Sequence, residues 1–187
     1  MSSNFMKNII LYLTILSFFG SLISCKDSKN INAQDTNALK QDIEALYQKL
    51  VSDNTAAPDT ATANEFIAKC FAYAEKLPND TLTPDFLFKA SDLSRGLGNY
   101  DVAMATFKKI EMKYPNSTRA GDALFMRAYI LENELNNKEQ AKIIYNEFLK
   151  KYPQHQLAKQ VTTILSQIDK SPEELIKEFE QKSKSDK

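Results

Sequence analysis

The fold is decided by residues 98–115, Gly98-Asn99-Tyr100-Asp101-Val102-Ala103-Met104-Ala105-Thr106-Phe107-Lys108-Lys109-Ile110-Glu111-Met112-Lys113-Tyr114-Pro115. Ala103, Phe107 and Ile110 recur at steps of four and three, which is one face of an α-helix. The Tyr-Pro pair stops it, because proline has no backbone N–H, clashes with the preceding turn and keeps the residue before it out of the α region. Gly98-Asn99 in front reads as a tight turn. Sliding the chain by 38 positions lays residues 86–115 on residues 124–153 with eight identities: Ala90/Ala128, Leu93/Leu131, Leu97/Leu135, Asn99/Asn137, Ala103/Ala141, Lys113/Lys151, Tyr114/Tyr152 and Pro115/Pro153. Phe107 against Tyr145 and Ile110 against Phe148 keep apolar bulk in step. A repeat of roughly 20 to 50 residues signals stacked units, none of which can bury its apolar face alone.

Outward from this stretch, Asn116-Ser117-Thr118 supplies capping oxygens for a further helix that carries Ala120, Leu124, Ala128 and Leu131 on one side. Each unit is therefore a helical hairpin. Residues 62–77, ending at Leu77-Pro78, read as an earlier, degenerate second helix, and Leu157, Val161, Leu165 and Ile168 mark a later first helix. Ser171-Pro172-Glu173-Glu174 reads as an N-cap, a proline in the first turn and two acids where the helix dipole favours them. Leu175, Ile176 and Phe179 are expected to pack that last helix onto the stack. Upstream, Leu39, Ile43, Leu46, Tyr47 and Leu50 give an amphipathic helix over 38–52, expected to cap the first repeat, with self-association as the alternative. The expectation is an all-α solenoid of antiparallel helix hairpins with flanking capping helices, spanning 62–183 and followed by a short tail, 184–187. Its packing residues are Ala90, Ala103, Phe107, Ile110, Pro115, Ala128, Ala141, Tyr145, Phe148 and Pro153.

These units resemble tetratricopeptide (TPR) repeats. Gly98, Tyr100, Ala103, Phe107, Ile110 and Pro115 match the spacing of the second-helix signature, in which the small residue at Ala103 lets the paired helices approach. The second copy departs from it, with Asn136 and Lys138 where glycine and tyrosine are usual. The period also exceeds the usual 34 or so, which predicts about one additional helical turn per repeat in the first helices. The resemblance extends to the TPR proteins of the bacterial envelope, notably the lipoprotein of the barrel-assembly machine and the periplasmic coordinator of the Tol/Pal system. It implies a concave groove, lined by first-helix side chains, that accepts an extended or helical peptide. Lys89, Asp92, Ser94, Arg95, Arg127 and Ile130 are the candidates for that lining, whereas Phe86, Phe88, Phe125, Met126 and Tyr129 are expected in the core.

The N-terminus has a different character. Residues 1–24 carry one charge, Lys7, ahead of an apolar run from Ile9 to Ile23. That is the pattern of a secretory signal peptide, and the run is shorter than the span of about 20 apolar residues that a transmembrane helix needs. Either Met1 or Met6 can serve as the start. Leu22-Ile23-Ser24-Cys25 resembles the bacterial lipobox, which implies cleavage before Cys25, a diacylglycerol thioether on it and an N-acyl chain. Several chains at about 0.8 kcal/mol per buried methylene would hold the protein at a bilayer permanently. Residues 25–37 are polar and read as a tether. Asp59-Thr60-Ala61 and Asp80-Thr81-Leu82 resemble the short O-glycosylation acceptor of the Bacteroides group.

Composition narrows the function classes. The chain has 187 residues with 24 Lys+Arg, 24 Asp+Glu, one His and two Cys. A net charge of zero offers no field for phosphates, so nucleic acid is a poor partner, and one His with two Cys cannot assemble the usual metal centre. With Cys25 acylated, Cys70 has no disulfide mate and, set among Phe66, Ile67, Phe71 and Tyr73, reads as a core residue. His155 is expected at a helix start on the surface. No phosphate loop, nucleophile elbow or carboxylate pair in an apolar pocket is visible. The expectation is a lipid-anchored, non-enzymatic adaptor that binds an envelope protein or peptide, without a cofactor. Its expected place is the outer membrane facing the periplasm, with the inner membrane and cell surface as alternatives. The competing function is a docking factor for a peptidoglycan-modifying or other envelope enzyme.

Overall fold

A computed structural model describes residues 33–52 and 59–185, and among these every regular element is helical. In chain order they are α1 (Ala33–Ser52), α2 (Thr60–Lys76), α3 (Thr83–Gly96), α4 (Tyr100–Lys113), α5 (Arg119–Tyr129) continued by a π-turn (Ile130–Glu134), α6 (Lys138–Lys151), α7 (Ala158–Gln167) and α8 (Pro172–Ser185). The signal segment 1–24, its lipobox Leu22, Ile23 and Ser24, and Cys25 lie outside the described residues. The amphipathic N-terminal helix begins at Ala33 rather than 38, so the stretch read as tether is shorter than 25–37.

Three helices end in the same way, each at the residue before a proline. Leu77, Tyr114 and Tyr152 close α2, α4 and α6 at φ −127°, −128° and −128° with ψ 61°, 50° and 55°. All three lie outside the α region, which a following proline disfavours. The turns beyond are copies as well. The amides of Asp80, Ser117 and His155 bond the carbonyls of Leu77, Tyr114 and Tyr152. The side chains of those same three residues then accept from the amides of Leu82, Arg119 and Leu157 at 2.8, 3.1 and 3.3 Å. A carboxylate, a hydroxyl and an imidazole nitrogen thus do one job, taking up an orphan donor at a helix start.

The hairpin turns repeat in the same manner. Gly98 has φ 79° and Asn136 has φ 49°, the left-handed conformation that glycine adopts without strain and asparagine tolerates. The departure of the second copy from the repeat signature therefore leaves the backbone turn in place. Asn137 caps α6 by accepting from the amide of Gln140 at 3.1 Å.

The repeat length changes partway along. Thr83, Leu87, Ser91 and Ser94 form the buried stripe of α3, and Ala120, Leu124, Ala128 and Leu131 form that of α5. Each of the second set lies 37 residues after its counterpart, whereas Gly98/Asn136 and Ala103/Ala141 are 38 apart. The π-turn absorbs the difference, inserting one residue between the stripe and the hairpin turn. Where α3 is a single 14-residue helix, α5 has 11 residues and the π-turn 5 more. The identities Ala90/Ala128 and Leu93/Leu131 consequently stand one place out of structural register, although Ala90 and Ala128 are both fully buried.

Consecutive helices from α2 to α7 pack side by side, and α3 also touches α5, which makes the first helices an inner row. Ala103, Phe107 and Ile110 of α4 are fully buried with Leu87, Ala123 and Ile130, and Ala141, Tyr145 and Phe148 of α6 are fully or nearly fully buried with Leu124, Phe125 and Val161. Fully burying side chains such as Phe107 or Leu124 contributes about 1.5 to 3 kcal/mol each. Pro115 and Pro153 are exposed, so they act as stops and not as packing residues. Helix α1 runs antiparallel to α2: Lys69 pairs with Asp42 at 2.8 Å, and Lys49 donates to Thr62 at 2.9 Å. Ile43 of α1 is buried against Phe66 and Phe86, so α1 caps the array as expected. Helix α8 opens with a reciprocal cap, in which Ser171 N–H donates to Glu174 and Glu174 N–H to the Ser171 hydroxyl. Of the three residues expected to pack it on the stack, Leu175 is half-buried, Ile176 is 60% exposed, contrary to that expectation, and the Phe179 side chain lies outside the described residues.

Candidate functional site

The inner row presents a groove of about 540 Å³ between α1, α3 and the start of α5. Tyr47, Leu50, Phe66, Phe88 and Leu93 supply apolar surface, while Val51, Lys89, Asp92, Arg95, Gly96 and Arg119 complete the lining. Each cation sits over a ring: Lys89 is 4.6 Å from the Tyr47 centroid, Arg119 4.8 Å from Phe88 and Arg95 5.8 Å from Tyr129. Such contacts favour the cation by about 0.5 to 2 kcal/mol, more as water is excluded.

The same cations carry ion pairs, Lys89 within α3 and Arg95 and Arg119 between repeats. Asp85 of α3 receives Lys89 at 2.8 Å and Arg119 Nε at 2.8 Å, and Arg119 also reaches Asp122 at 3.3 Å. Asp85 and Asp122 are 37 residues apart, so one arginine joins equivalent positions of successive first helices. Arg95 bonds Asp92 at 3.0 Å and Glu134 at 3.2 Å, and Tyr100 donates to Glu134 at 3.1 Å. Burial pushes the Asp85 carboxyl up, but hydrogen bonds from Lys89 and Arg119 outweigh it and leave Asp85 below its ordinary value. Burial likewise works against charge on Arg95 and Arg119, and their carboxylate partners hold both above the usual value. These charges are fixed and paired, which suits recognition rather than proton transfer.

Of the six residues expected in the groove, Lys89, Asp92 and Arg95 line it. Three do not. Ser94 is 1% exposed because it belongs to the buried stripe of α3, and its hydroxyl donates to the Ala90 carbonyl at 2.7 Å. Ile130 is fully buried beside Phe107. Arg127 turns away to the second helix of the preceding repeat, donating to both oxygens of Glu111 at 2.8 and 3.1 Å. Among the residues expected in the core, Phe86 and Phe125 are buried, while Phe88, Met126 and Tyr129 are only half-buried and Phe88 faces the groove. Sequence reasoning missed Arg119 and the α1 residues Tyr47, Leu50 and Val51. Aligning Asp85 with Asp122 would have found Arg119, since it precedes the second aspartate by three positions.

The remaining nucleophile and base candidates have structural roles. Cys70 is fully buried, and burial pushes its thiol up to about 12, which removes the thiolate that reactivity requires. His155 stands at a helix start as expected but is half-buried there: its side chain is 18% exposed, edge-on to Phe148 at 5.3 Å, with Nε2 3.5 Å from Asp122. Because Nδ1 accepts from Leu157, the proton lies on Nε2, facing that carboxylate. The ring fills the space over Gly121, where a Cβ would stand 2.8 Å from His155 Cδ2. Among the described residues, no group of three His, Cys, Asp or Glu side chains is arranged to hold a metal, and no helix is long and apolar enough to cross a membrane.

Residues 85–117 and 122–155 match the tetratricopeptide repeat. The array carries TPR repeats. The two matches start 37 residues apart and end 38 apart, which is the same one-residue insertion that the π-turn makes. No curated protein matches the chain. TPR arrays typically bind protein partners and are generally non-catalytic scaffolds.

Proposed function

We propose that this chain is a membrane-anchored TPR adaptor of the bacterial cell envelope, holding a protein partner in the α1/α3/α5 groove and performing no reaction of its own. The observation that carries this reading is the groove itself, with apolar surface from Tyr47, Phe88 and Leu93 ringed by Lys89, Arg95 and Arg119, whose charges are already neutralised by carboxylates. An apolar side chain of the partner would enter without displacing an unpaired charge. The lipobox-like Leu22-Ile23-Ser24-Cys25 supports a lipid anchor at Cys25. The place proposed for it is the outer membrane, facing the periplasm. Likeness to the envelope TPR proteins supports a place in outer-membrane protein assembly or Tol/Pal-type maintenance.

The test is purification of the full chain from detergent-solubilised membranes of cells fed labelled palmitate. A partner retained by the wild type and lost with Phe88→Ala, at unchanged helicity, is the expected outcome, together with label that disappears in Cys25→Ala. An identical set of partners from both chains would overturn the groove assignment. Equal label with and without Cys25 would overturn the anchor.

A further inference from the structure

The second helices end at one edge of the array, and that edge is basic. Lys76, Lys113 and Lys151 are the last residues of α2, α4 and α6, each next to the pre-proline stop. Lys109 and Lys150 stand beside them. A helix C-terminus favours one cation for electrostatic reasons alone. That accounts for the repeated terminal lysine, but not for the additional ones. Lys76, Lys109, Lys113 and Lys150 are all exposed, and none carries an ion pair among the described residues. Met112, at 72% the most exposed large apolar side chain described, lies next to Lys113. The acids here are Asp35, Glu75, Asp80, Glu111 and Glu147, with Asp85 and Asp122 in the first turns of α3 and α5. Glu147 is taken up by Lys151, Glu111 by Arg127 and Lys108, Asp85 and Asp122 by Arg119, and Asp80 by the turn that starts α3. The opposite edge, where the second helices begin, holds Asp101, Glu132, Glu134, Glu139 and Asp169 against Arg95, Lys138, Lys142 and Lys170, and there Arg95 and Lys142 are paired with Glu134, Glu139 and Asp169.

The chain enters the array at the basic edge. Because α1 is antiparallel to α2, with Asp42 beside Lys69 and Lys49 beside Thr62, the start of α1 lies level with the end of α2, near Lys76. Eight positions separate Cys25 from Ala33, a reach of at most about 28 Å. We propose that this lysine edge, with Met112 at its tip, docks on an anionic lipid surface, so that the array meets the bilayer by the ends of its second helices and leaves the groove open to the side. The part played by the short tether rests on the lipid-anchor reading; the match of lysines and an apolar tip to anionic headgroups does not.

The full chain is reconstituted into vesicles of phosphatidylcholine alone, or with about a third phosphatidylglycerol, each containing brominated acyl chains as quencher. A fluorophore is placed at Met112→Cys or, on the opposite edge, at Val102→Cys. Unsubstituted chain provides the labelling background, since Cys70 is buried and unreactive. Quenching at position 112 in the anionic vesicles only, and at position 102 in neither, is expected. Lys113→Gln and Lys150→Gln should each lower the docked-to-free ratio about fivefold. Equal quenching at both positions, equal quenching in both vesicles, or indifference to the two lysines would overturn the proposal. Absence of quenching in either vesicle would also overturn it and turn the edge towards an acidic protein. Flotation with the phosphatidylcholine vesicles, on which the lysine edge is not expected to dock, reads the anchor separately: Cys25→Ala chains that float there as well as wild type count against lipidation and leave the quenching result standing.

Discussion

Gly121 and His155 show how closely one residue can depend on another 34 positions away. The imidazole occupies the volume that any larger residue at 121 would need, and it cannot swing aside freely because Nδ1 is held by Leu157 and the ring lies against Phe148. Gly121→Ala should therefore destabilise the array by about 1 to 3 kcal/mol, the range for overpacking. His155→Ser installs the side chain that the preceding copy uses at Ser117, keeps the turn bond and empties the space. The Gly121→Ala/His155→Ser double variant should accordingly recover most of the loss, as read by a double-mutant cycle in urea. Additive effects would show that the contact has no energetic weight. Nothing in the sequence announced this pair. The 38-residue alignment did identify His155 with Ser117, and the structure gives that equivalence its content, a shared hydrogen bond to the second residue on.

The elements were legible to different depths. The second helices were read closely because proline and the residue before it have few backbone choices, so Tyr-Pro at 114–115 and 152–153 declares itself, and Leu77-Pro78 does so even without the rest of the signature. The first helices were harder. A π-turn has no local residue code, so an offset of 38 carries through α3 and α5, where the buried stripes obey 37. Ser94 and Ile130 are expected in the groove only because they lie on first helices, and that membership does not tell which face of the helix is buried. Pairing between α3 and α5 has a measurable consequence through Asp85. Its carboxyl is held below the ordinary value by Lys89 and Arg119, so the stability it contributes is complete above the unfolded value of about 3.8 and is lost as pH falls through the lower folded value. Thermal melts between pH 6 and pH 2 should show a steeper acid-side loss for wild type than for Asp85→Asn. Parallel curves would remove Asp85 from the account.

At the scale of the whole molecule the array is a line of neighbours, each covering the one before. Helix α7 buries Val161 and, just past its end, Ile168 against the α5/α6 layer that holds Tyr145 and Phe148. A chain ending at Gln154 would expose that layer, and terminal caps are what keep stacked repeats soluble. We expect such a truncation to bind a hydrophobic dye and to melt at least 10 °C or so lower, whereas a chain ending at Ser171, which lacks only α8, should melt close to wild type. The second half of that expectation comes from Ile176, whose exposure marks α8 as the least committed helix of the stack. If the two truncations behaved alike, α8 and not α7 would be the effective lid. From sequence alone the two looked equivalent, since each shows apolar residues at helical spacing; what separates them is a covering layer, which spacing cannot reveal.

The α2 to α7 helices pack mainly on their immediate predecessors in the sequence, a property that bears on how fast the protein folds. Local pairings demand little loop closure before they are rewarded, so a chain of this kind folds quickly once it is free to do so. A protein delivered to its site as an extended thread gains from that speed, because no late, distant partner has to be found. Stopped-flow refolding from urea should be complete within milliseconds, and a dominant phase of seconds would count against it.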